Sequence, residues 1–282
     1  MKIVHYILTC ALWWLAIVHG ERTYGQAGTV GNPDTLPMVR VFSDSISDFE
    51  IDNLGNLYLL GQRQQLKKLT ATFDSLAVFN DMRQFGKLYS IDVSNPLKVL
   101  LFYKDHGSII ILDRFLNVRS TLNLRLANLQ QVTAITQSYD NNIWVYDELE
   151  NMVKKIDESG RELLSSPDLR VVFDDPPQIQ TMHDFNKYLY AYDVQRGLLV
   201  MDYFGAYRNK LAFLGWRNLQ GIGQGIVATD DKGLVYYRPG TINTRNRPLP
   251  DHILASKKIR IQDQRLYALG HNGRLTVYRL DN

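Results

Sequence analysis

One short grammar returns along the chain at a nearly fixed interval. It consists of a run carrying an apolar pair, often half aromatic, then a polar loop, a second apolar run, and a Gly, Asn or Asp turn. The pairs are Leu57-Tyr58, Leu101-Phe102, Ile143-Trp144, Leu189-Tyr190, Leu234-Val235 and Leu266-Tyr267. Their spacing is about 45 residues, shortening before the last, and a period in that range marks a repeated supersecondary unit. The loops after the pairs are GQRQQ from Gly61, KDHG from Lys104, DELEN from Asp147, DVQRG from Asp193, RPGT from Arg238 and GHNG from Gly270. The next run often closes on Asp, as in Leu112-Asp113, Ile156-Asp157 and Met201-Asp202, and more loosely in Phe73-Asp74.

The order repeats while the residues do not, which is what a β-propeller demands. One four-stranded sheet cannot bury both faces alone. Arranged radially, each sheet packs on its neighbours and only short edges remain. Patterning and turn chemistry are then the constraints: Asp and Asn oxygens hold backbone N–H groups, and Gly takes positive φ. Short strands are predicted at residues 39–42, 56–60, 66–69, 76–79, 89–93, 99–103, 108–112, 132–136, 143–146 and 152–156. Others follow at 188–192, 198–201, 225–228, 234–237, 259–261, 266–269 and 275–278. No long amphipathic helix is predicted, and FDDPP at 173–177 and RNRPLP at 245–250 would break one.

The expected fold class is all-β, a six-bladed propeller of up to four antiparallel strands per blade, spanning residues 38–282 as a single domain. The fifth unit, 216–251, is irregular in its second half and the last, 252–282, is short, so five or seven blades stay open. Residues 39–42 are expected to supply the last blade's missing strand and close the ring. In these features the chain resembles the six-bladed propellers of secreted bacterial proteins, broadly the NHL-like and TolB-like group. The resemblance implies a fold far more than a function.

Residues 7–18, ILTCALWWLAIV, are an apolar run behind Met1-Lys2, and polar HGERTYGQAG follows. This is a secretory signal pattern over residues 1–25, with 26–37 as a linker. An uncleaved anchor is the alternative, but the run is shorter than the roughly 20 residues a span needs. Acylation of Cys10 is excluded because the apolar run continues past it. Cys10 is the sole cysteine, so the exported chain would have no disulfide, thiolate nucleophile or Cys-based metal site. A periplasmic or secreted protein, not membrane-embedded after cleavage, is expected. A net charge of +3 without a dense Lys/Arg run gives nucleic-acid binding no support.

Chemistry is sparse. His106, His183, His252 and His271 have no metal-ligand spacing, and no metal or cofactor is expected. Carboxylate pairs fall mostly in hairpin turns; Asp92, on a predicted inner strand, is the one acid placed toward a channel. No serine sits in a nucleophile elbow. The glycines from Gly221 to Gly225 lack the βαβ context of a dinucleotide fingerprint. What remains is a set of loops expected on one face, with Arg63, Lys104, His106, Arg196, Arg238 and His271, and Tyr103 and Trp216 nearby. These are the candidate binding residues, read either as a binding rim or as ordinary solvated loops.

Two functions are therefore expected from the sequence. The first is a non-catalytic interaction scaffold or accessory subunit with a protein partner in the cell envelope, or a glycan or peptide ligand. The segment ending in TYGQ resembles those of Bacteroidota envelope proteins, which implies a place in an outer-membrane or secretion assembly, such as the propeller-like plug of a type 9 translocon. The second is a carbohydrate- or peptide-active enzyme, or a solute-binding protein, working at the central channel. Convergent channel carboxylates would favour the second.

Overall fold

The computed structural model describes residues 36–43, 45–80, 85–241 and 243–280. The proposed signal segment and most of the linker lie outside them. The first strand, β1 (Met38–Phe42), is followed by blade 1, formed by β2 (Ile46–Ile51), β3 (Leu57–Gly61), β4 (Leu66–Leu69) and β5 (Ser75–Phe79). Blade 2 holds β6 (Ser90–Asn95), β7 (Lys98–Tyr103), β8 (Ser108–Asp113) and β9 (Val118–Asn123). Blade 3 holds β10 (Val132–Gln137), β11 (Ile143–Asp147), β12 (Met152–Ile156) and β13 (Glu162–Ser165). Blade 4 holds β14 (Thr181–Phe185), β15 (Tyr188–Asp193), β16 (Gly197–Met201) and β17 (Tyr207–Leu211). Blade 5 holds β18 (Arg217–Ile222), β19 (Gly225–Thr229), β20 (Gly233–Tyr237) and β21 (Thr244–Pro248). A short helix, α1 (Asp251–Leu254), leads to β22 (Lys258–Gln262), β23 (Arg265–Leu269) and β24 (Leu275–Arg279).

The protein is a six-bladed β-propeller with four antiparallel strands per blade. Blade 6 is completed by β1, which pairs antiparallel with β24 and sets Met38 opposite Tyr278 and Phe42 opposite Leu275. The expected closure by residues 39–42 is thus observed, and the count is six. The irregular fifth unit is a complete blade. Its second strand is β19, however, so Leu234-Val235 lies on the third strand and is out of series with the other pairs.

Alternating strand direction gives the ring two unlike faces. Turns between first and second and between third and fourth strands lie on one, here the turn face. Loops between second and third strands, and the blade-to-blade connections, lie on the other, the loop face. The turn face repeats one device. Asp113, Asp157 and Asp202 each accept from the N–H two residues on, at 2.8, 2.9 and 2.9 Å, and four residues on, at 2.8, 3.1 and 2.9 Å. The residue three on takes positive φ, as at Leu116, Gly160 and Gly205. Thr70 does the same with its hydroxyl, and Asp52 in the first turn of blade 1. Gly160 is required twice over, because a Cβ there would lie 2.6 Å from Leu122 of blade 2.

Among the described residues the core consists of six clusters, each between two neighbouring blades. Second strands supply the largest share of it; β7 (KVLLFY) and β11 (IWVYD) are buried at every position. Each fully buried large apolar side chain contributes roughly 1.5–3 kcal/mol, so these strands dominate stability.

Candidate interaction faces and the central channel

Four of the candidate residues share the loop face. Arg63 sits between β3 and β4, Lys104 and His106 between β7 and β8, and His271 between β23 and β24. Their blades, 1, 2 and 6, are consecutive in the ring. Arg63, His106 and His271 are exposed. Lys104 is half-buried, with Nζ 5.2 Å from the Tyr89 ring centroid, and the His106 ring lies 6.1 Å from that of Phe85.

The other four are corrected by the structure. Arg238 belongs to the β20–β21 turn and so to the opposite face, where Nη2 donates to Gln224 Oε1 at 3.1 Å. The cause is the misplaced pair Leu234-Val235. Arg196 is on the loop face but is held down. Nη1 donates to the fully buried Asp193 at 3.2 Å and Nη2 to the Asp175 carbonyl at 2.9 Å. Asp193 also accepts the Gln178 and Gln195 N–H groups, so the pair fastens the connection entering blade 4. Tyr103 is fully buried at the end of β7; burial raises its phenol, which has no hydrogen-bond partner among the described residues. Trp216 is buried too, stacked on Phe213 at 4.1 Å with 9° between the rings. An aromatic beside a polar loop reads as exposed in the sequence, but here it plugs the blade end.

The loop face has a second sector. Over blades 3 and 4 it presents Glu148, Glu150, Asp174 and Asp175 among the apolar Leu149, Val171, Val194 and Leu214. Val171 is 85% exposed and Leu214 57%. The acids of DELEN and FDDPP were visible in the sequence. Leu149 and Val194 also stand in the polar loops DELEN and DVQRG, but no spacing in the sequence brings them together with Val171 and Leu214 into one sector.

The channel is lined by first strands, and its charges are used to tie blades together. From β22, Arg260 grips Glu50 of β2 through two bonds of 2.8 Å, and Lys258 reaches Glu50 at 2.6 Å and Asp48 at 2.7 Å. Burial alone would raise the Glu50 carboxyl, but the Arg260 and Lys258 charges outweigh it and hold it at about 2. Asp92 of β6 accepts from Thr136 Oγ1 and the Gln137 N–H of β10, at 2.9 and 2.8 Å. Asp184 of β14 accepts from Ser138 Oγ at 2.9 Å and Trp144 Nε1 at 3.0 Å, and burial holds it above the ordinary value. Gln220 of β18 pairs with both backbone groups of Ile261, in imitation of a strand. His183 of β14 is kept below its usual pKa by burial and then by the Arg260 charge, and its Nε2 has no partner among the described residues. No group of three metal-ligating side chains occurs among the described residues, and no described helix is long and apolar enough to cross a membrane.

The chain matches no family model and no curated protein. It is similar in fold to many solved structures. One is the Pan2 WD40 domain of Neurospora crassa, with a TM-score of 0.57 and 10% identity over 89% of this chain and 97% of that one. Another is streptogramin B lyase, at 0.56 and 10% identity over 88% and 87% of the two chains. A third is PorZ of Porphyromonas gingivalis, at 0.55 and 12% identity over 84% of this chain but 31% of that one. Their range, from a WD40 domain to a lyase to a surface component, establishes the fold alone.

Proposed function

We propose that this propeller is a non-catalytic interaction module of a bacterial cell envelope, and that it captures an acidic protein segment through the loop face of blades 6, 1 and 2. The observation carrying this reading is the arc of Arg63, Lys104, His106 and His271 on three consecutive blades, two cations flanked by two imidazoles. The channel supports it. Glu50, Asp92 and Asp184 are each committed to a neighbouring strand, so none is poised as a general acid or base. The apolar run at residues 7–18 fits export, and PorZ, described as an essential surface component of the type-IX secretion system, illustrates a propeller-containing chain in such a role.

The test is affinity capture from native envelopes with the wild type and with Arg63→Glu/Lys104→Glu, using Lys187→Glu on the turn face as control. Rim charges act mainly on encounter rate and salt dependence. The reading expects the double variant alone to lose its partner, while its unfolding curve is unchanged. Equal capture by all three proteins removes the arc as the binding surface. One observation favours a channel enzyme or solute-binding protein instead: the unpartnered Nε2 of His183. Loss of a small-molecule activity in His183→Ala, with capture intact, would move the function there.

A further inference from the structure

The outer strands of blades 4 and 5 are unlike the other four. They read YRNKL in β17 and TRNRP in β21, whereas β5 is SLAVF, β9 VRSTLN, β13 ELLS and β1 MVRVF. Both carry two cations around a central Asn and no acid. Arg208 of β17 is paired with Asp202 at 2.6 Å, while Lys210 and Arg245 stand exposed. Between the two blades runs an open groove of about 420 Å³, lined by Asn209, Lys210, Leu211, Phe213, Tyr237 and Thr241. Its floor is aromatic, with the Phe213 and Tyr237 ring centroids 5.0 Å apart.

The groove follows one stretch of backbone. β17 pairs with β16 along one edge and with no strand along the other. Its bulge falls between the partners of Val200 and Met201, so the pairing runs regularly from Asn209 to Leu211, which is where the groove lies. A bulge ordinarily protects an edge from strand addition; here the regular part extends beyond it.

We infer that this groove receives an extended acidic segment of a partner protein, which adds to blade 4 as a fifth strand along β17. Charge selects the occupant. Alternate side chains of an added strand point to opposite sides, so an alternating acidic–apolar segment sets apolar groups toward Phe213 and Tyr237 and carboxylates to the other side of the sheet, the side of Lys210, which lies opposite Leu199 in the register. Backbone hydrogen bonds to a free edge supply affinity in this mode and the pockets supply selectivity. β13, with its Glu162, would repel the same segment. This site lies apart from the arc of the loop face, and either can hold without the other.

The probe is a fluorescein-labelled (Glu-Val)4 peptide followed by anisotropy on the intact protein. Binding is expected to weaken about tenfold in Lys210→Glu, and to be lost in Ala212→Trp, which fills the groove from an exposed position. Two further peptides carry backbone N-methyl groups on the Glu or on the Val residues. Strand addition requires one of them to lose binding while the other keeps it. Equal binding by both, or undiminished binding to the charge-reversed variant, overturns the proposal. So does a heparin hexasaccharide that binds the wild type where the peptide does not, since the wall would then be a polyanion surface.

Discussion

Two seams of the ring are built from different materials. Where blade 6 meets blade 1, the first strands are joined by ions: Arg260 and Lys258 on one side, Glu50 and Asp48 on the other, within 2.6–2.8 Å. Where blade 4 meets blade 5, no side-chain hydrogen bond joins β14 to β18 among the described residues. That seam is apolar, with Phe185 over Gly221 and the Phe213–Trp216 stack behind. The difference teaches what each joint resists. Apolar packing tolerates sliding but holds at any pH, whereas paired charges fix register and depend on protonation. Register matters most at the 6–1 seam, because blade 6 draws its strands from both ends of the chain.

The largest effect tests that seam at its root. Deleting residues 26–44 removes β1 and should cost about 5 kcal/mol or more, roughly 10–20 °C in melting temperature, while deleting 26–35 should cost little. Equal tolerance of both would mean that the ring does not depend on β1. Next, Trp216→Ala should destabilise by about 3–5 kcal/mol in urea unfolding, with a penalty that does not change between pH 4 and 7.

Glu50→Gln strikes the ionic seam and leaves Arg260 short of a counter-charge, for an expected loss of about 2–3 kcal/mol at pH 7. Its pH dependence sharpens the contrast. The folded carboxyl titrates near 2 instead of 4.5, so its contribution is present above pH 4.5 and is lost as pH falls toward 2. Wild-type stability should therefore fall over that window more steeply than that of Glu50→Gln; parallel curves would break the comparison. The smallest effect is Gly221→Ala. Its Cβ would meet the Phe185 ring at 3.1 Å, for about 1 kcal/mol of destabilisation in the same assay.

Second and third strands were legible in the sequence because burial writes them there, whereas the first strands β2, β14 and β18, only partly buried along the channel, were not predicted. The pairs on β3, β7, β11, β15 and β23 are core residues and kept their period. Four outer strands, VRSTLN, ELLS, YRNKL and TRNRP, lie mostly at exposed positions and carried no apolar alternation to read; only β5 and β1, with SLAVF and MVRVF, stood out. The fifth blade misled because its first hairpin, GIGQG, lacks the aromatic pair, and Leu234-Val235 took its place. The candidate site was half legible for a different reason. Sequence position places a residue in a loop, but whether its charge is free depends on distant partners, such as Asp175 for Arg196, that spacing does not reveal.

The β1–β24 pairing also sets the order of events during synthesis. β1 is the first strand of the ring to be made, and its partner is the last. Ion pairs across the same seam join residues 210 positions apart. Until β24 appears, β1 has no sheet to join, although β22 can already meet β2 through Lys258 and Arg260. Contacts of such sequence separation are slow to form. Completing blade 6 therefore requires β24 to pair with β1, and a chain stalled before residue 275 cannot complete that blade.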